Sequence, residues 1–67
     1  MLTAEQTKQM YDQISAIRNQ VITEQDASAL GTLEYSYLLS LYNKLTTARD
    51  EFNTYFKAHN NGKNIWE

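Results

Sequence analysis

LEYSYLLSLYNKLTTARDEFNTYFKAHN, residues 33–60, decides the fold of this chain. The stretch contains neither proline nor glycine, so nothing inside it breaks a helix. Leu38, Leu41, Leu45, Ala48, Phe52 and Tyr55 recur at alternating spacings of three and four. That is the period of one helical face and the wrong period for a strand. Tyr37, Tyr42 and Phe56 flank the line. Thr32 stands ahead as an N-cap, and Asn61-Gly62 follows as a stop. The spacing predicts a helix over about 33–60.

Upstream, the same period recurs. Thr3 with Gln6 matches a capping box, in which hydroxyl and side-chain amide satisfy free backbone donors reciprocally. Glu5 in the first turn suits the helix dipole. Met10, Ile14, Ile17 and Val21 then form a seam spaced four, three, four, with Tyr11 and Ile22 widening one edge. Lys8 can pair with Asp12 on the outside, a contact worth only a few tenths of a kcal/mol. Glu24, Gln25 and Ser28 interrupt the seam, the run from Thr23 to Asp26 reads as a new helix start, and Gly31 reads as a turn. The expectation is a helix over about 4–22, a connector over about 23–32, the second helix, and a short tail over 61–67. All of it belongs to one domain, 1–67.

Two long helices with a short connector fold back as an antiparallel two-helix hairpin, an all-α architecture. With Leu33 set at zero and ~100° per residue, the core arc of the second helix spans about 40° to 140°. Tyr42 at about 180°, Tyr35 at about 200° and Leu39 at about 240° lie beyond it. One neighbouring helix cannot cover so wide an apolar face. Two hairpins packed face to face, a homodimer forming a four-helix bundle, would cover it. The same inference follows from size, because a chain of 67 residues builds a small core.

Composition narrows the function. The absence of cysteine excludes disulfides and thiolate metal sites. No apolar run approaches the ~18 residues of a membrane span. The first ten residues are neither basic nor apolar, so no secretory signal is expected, and a cytoplasmic location is. A net charge of −2 with six scattered Lys/Arg leaves no basic footprint for nucleic acid.

No residue is nominated as catalytic, cofactor-binding or metal-ligating. His59 has Phe56 three residues before it, where the di-metal bundles carry glutamate. Asp50 and Glu51 point ~100° apart on a helix and do not converge. Arg18 and Arg49 border the apolar arcs and are expected to reach towards Glu24 or Asp12. With no nucleophile–base pair and no glycine-rich loop, an enzyme is not expected.

What remains is surface. Tyr35, Leu39 and Tyr42 make a patch suited to a protein interface, and Ile65-Trp66 form an apolar tail that either caps the bundle end or anchors a partner. The expected function is a small non-enzymatic interaction protein that binds a larger protein through this tyrosine-rich face. Adaptor, regulator or inhibitor are the roles it fits, of the kind small phage or plasmid accessory proteins fill. A dimeric helical-hairpin RNA binder is the alternative, and a structural subunit of a larger helical assembly is the second.

Overall fold

A computed structural model describes all residues, 1–67, and is entirely helical. Helix α1 (Ala4–Ala27) and helix α2 (Leu33–His59) pack against each other as an antiparallel hairpin. The capping box at the start of α1 is formed. Thr3 Oγ1 accepts from the Gln6 amide at 3.1 Å, and Gln6 Oε1 accepts from the Thr3 amide at 3.0 Å. Thr32 Oγ1 caps α2 by accepting from the Tyr35 amide at 3.2 Å. At the other end, Asn61 (φ 57°) and Gly62 (φ 76°) turn left-handed, and the Gly62 amide returns to the Lys57 carbonyl at 2.9 Å. This closes the last turn where the sequence places a stop.

Helix α1 runs five residues past its expected end at about residue 22. Of the polar residues read as a break, Glu24 and Gln25 are helical and Ser28 is the extended C-cap. Thr23 Oγ1 donates to the Asn19 carbonyl at 3.0 Å and Ser28 Oγ to the Glu24 carbonyl at 2.9 Å. Gln25 is buried against α2, although its Oε1 has no partner. The connector shrinks to residues 28–32, where Gly31 adopts φ 83°. The extra turn also brings α1 to nearly the length of α2, 24 against 27 residues.

The molecule is one layer thick. Its extents are 44 × 20 × 14 Å, and its radius of gyration of 14.3 Å exceeds the roughly 11 Å of a compact domain this long. Only Thr7, Gln25, Phe56 and Ile65 are buried. The exposed surface is 4867 Å², against about 4,400 Å² for a compact monomer of this mass. No helix is long and apolar enough to cross a membrane.

Candidate interaction surface

The line along which the helices meet is not the line of their apolar seams. In α1 the residues that face α2 are Thr7, Arg18 and Gln25. Thr7 and Gln25 are buried, and Arg18 reaches across. On α2 the counterpart line is Tyr42, Arg49 and Phe56. At ~100° per residue, the seam Met10–Ile14–Ile17–Val21 lies roughly 60° round α1 from that line. The seam Leu38–Leu41–Leu45–Ala48–Phe52–Tyr55 is turned by a similar angle on α2. Because the helices run antiparallel, both rotations lead to the same broad face of the hairpin.

Arg18 sets this rotation. Its Nε donates to Thr46 Oγ1 at 2.7 Å, an Nη donates to the Tyr42 hydroxyl, and its guanidinium lies 4.3 Å from the centre of the Tyr42 ring. Taking a guanidinium out of water costs free energy unless its donors are met, and Tyr42 and Thr46 each accept from Arg18. Arg49 lies over the Tyr11 ring at 5.8 Å and beside Asp50 at 3.5 Å, but its buried Nε has no partner. Neither arginine pairs with Glu24 or Asp12, and Lys8 and Asp12 form no ion pair. His59 stacks on Tyr55, with ring centres 4.5 Å apart.

The nominated interface residues therefore separate. Tyr42 is half-buried and committed to Arg18, and Tyr35 is half-buried beside it on the same side of α2. Leu39 stays exposed at 40%. The tail folds back over this side. Asn53 Oδ1 accepts from the Ile65 amide at 2.9 Å, and Asn53 Nδ2 donates to Asn64 Oδ1 at 3.0 Å. Ile65 is buried and so offers no anchor to a partner, whereas Trp66 stays 66% exposed with its ring centre 6.4 Å from that of Tyr11.

The opposite face carries part of the unburied apolar surface, and Leu30 and Leu33 are exposed at the connector, at 82% and 73%. Of the residues expected in the core, Met10, Ile17 and Leu41 are exposed, the last two at 48% and 49%. Ile14, Val21, Leu38, Leu45, Ala48, Phe52 and Tyr55 are half-buried. Tyr37, 64% exposed, continues the face towards the connector. At the open end Leu2, Ala48, Glu51, Phe52 and Tyr55 line an open, mostly apolar recess of about 210 Å³. The Leu2 amide donates to the Tyr55 hydroxyl at 3.0 Å and holds the chain there. Sequence reasoning named Tyr37 only as a flank and missed Leu2. The signal for Tyr37 was present, since it lies four residues before Leu41 on the same stripe.

No three His, Asp or Glu side chains converge as metal ligands. Arg18 and Arg49 are held against tyrosines between the helices, and the four lysines are spread over the rest of the chain. No family model, no curated protein and no solved structure matches this chain.

Proposed function

We propose that this protein is a small non-enzymatic interaction module that self-associates into a four-helix bundle and presents its tyrosine-bearing side to a larger protein. One observation carries the reading. Both apolar seams are turned about 60° off the helix–helix line towards the same face. In a square of four helices the centre lies about 45° from the direction of each neighbour, so each helix splits its apolar stripe between neighbour and centre. The seams of this hairpin are divided in that way. Their unburied half is Met10, Ile17, Leu41 and Tyr37.

Size supports the same reading. A domain is ordinarily at least two packed layers, and this hairpin is one. Its broad face, 44 by 20 Å, matches the roughly 800 Å² that each partner contributes to a standard protein interface. In such a dimer the side bearing Tyr35, Leu39, Tyr42 and Trp66 stays outermost. Leu39 and Trp66 are its accessible apolar groups, and they are the expected contacts for a larger protein in an adaptor or inhibitor role.

Ile17→Asp with Leu41→Asp tests self-association. Both side chains are about half exposed in the single chain, so the hairpin keeps its helical circular dichroism while the dimer is lost. A double variant that still dimerises at wild-type affinity overturns the proposal. For the outer side, tagged wild type is compared with Leu39→Ala and Trp66→Ala in affinity capture. Recovery of the partner falls in the variants, and equal recovery from all three removes that surface.

A further inference from the structure

We propose that the two hairpins stack with their connectors at opposite ends, so that Tyr37 and Leu41 of each copy cover the Leu2–Ala48–Phe52–Tyr55 recess of the other. This rests on the self-association proposed above and adds its orientation.

The seams show the register. A helix stacked on its own reversed copy must present a pattern that reads alike in both directions. The α1 seam does so, with gaps of four, three, four centred between residues 15 and 16. The α2 seam does so too, with gaps of three, four, three, four, three centred between residues 46 and 47. Contacts of Arg18 with Tyr42 and Thr46 place residue 18 level with 42–46, so both centres lie at one height on the hairpin. A two-fold axis through that height, perpendicular to the helices, satisfies both seams at once. Counting ~1.5 Å per residue from it, Leu41 and Phe52 lie about 8 Å to either side. Tyr37 lies about 14 Å out on the connector side, and Tyr55 about 13 Å out on the other. Rotation therefore lays exposed Leu41 against Phe52 and exposed Tyr37 against the Leu2–Tyr55 end of the recess.

Charge selects the same orientation. Between Arg18 and Lys44 the chain has no Lys or Arg, but it has Glu24, Asp26 and Glu34. Those residues surround the connector. The open end is mixed, with Lys8, Arg49, Lys57 and Lys63 beside Glu5, Asp12, Asp50, Glu51 and Glu67. Connectors side by side would gather six carboxylates with no Lys or Arg among them and set Tyr37 beside Glu24. Opposed connectors set each purely acidic end over the other copy's mixed-charge end, which keeps the six carboxylates apart.

The chain lacks cysteine, so Ala29→Cys in the exposed connector accepts one nitroxide per copy. Pulsed electron–electron distance measurement is expected to give a separation of about 40 Å, set by the 44 Å long axis. A separation of about 20 Å or less overturns the orientation and leaves self-association standing. No dipolar coupling at concentrations where the wild type is dimeric overturns the orientation, and none at any concentration removes the self-association beneath it. Tyr37→Ala, at a site mostly exposed in the single chain, is expected to raise the dimer dissociation constant at least about tenfold, two such contacts being lost per dimer. An unchanged constant overturns the recess contact.

Discussion

Arg18 is the residue on which the hairpin turns. Its guanidinium bonds to Tyr42 and Thr46 across the helix–helix line, so these residues and not the leucine seam meet α1 there. Arg18→Ala is expected to lower stability by roughly 2 kcal/mol, through loss of a charge-assisted hydrogen bond and a cation–π contact. Urea unfolding at one fixed protein concentration measures it. Lysine at 18 restores little, because it has no planar fork to meet Thr46 and Tyr42 together. At the tail, Asn53 is the clasp, accepting from Ile65 and donating to Asn64. Asn53→Ala is expected to free Ile65 and to move Trp66 off Tyr11. Acrylamide quenching of the single tryptophan then rises towards that of a free indole while the helical content stays. Unchanged quenching would show that apolar burial alone holds the tail.

The two helices were legible in the sequence because they rest on local chemistry. The Thr3–Gln6 capping box, the Thr32 cap and the Asn61-Gly62 turn each act within a few residues, and each is formed. The end of α1 was not legible. Glu24, Gln25 and Ser28 break the apolar period, but period reports which face is greasy and not whether the backbone continues. Gln25, inserted against α2, keeps the added turn packed on its neighbour, and Ser28 ends the helix as its C-cap. The side on which the seams open was not legible either. Periodicity places Met10, Ile17 and Leu41 on the apolar stripes, whereas a contact between residues 18 and 42 decides which edge of each stripe meets the other helix. Periodicity alone therefore leaves the tyrosine patch as a face for a second hairpin or for a partner. Gly31 tests the connector in isolation. Its φ of 83° is left-handed, and a methyl group there would meet no atom within 4 Å. Gly31→Ala therefore isolates backbone strain, with an expected loss of about 1 kcal/mol in thermal or urea unfolding. No loss would show that the connector can adopt another turn.

For the whole molecule the governing fact is thickness. A single layer of two helices leaves four of 67 residues buried and about a tenth more surface exposed than a compact chain of its mass. Part of the excess is gathered on one face, while Met1, Leu30, Leu33, Leu39 and Trp66 are exposed outside it. Met10, Ile17, Leu41 and Tyr37 lie on one broad face with the apolar recess at its end, while the other face is closed by Arg18, Tyr42, Asn53 and the tail. A face so divided is what the proposed bundle would bury. Sedimentation equilibrium over a wide concentration range tests this most directly. The account predicts a discrete species of twice 7.8 kDa, converted to monomer by Ile17→Asp with Leu41→Asp. A wild-type chain that remains helical and at 7.8 kDa up to millimolar concentration would contradict it.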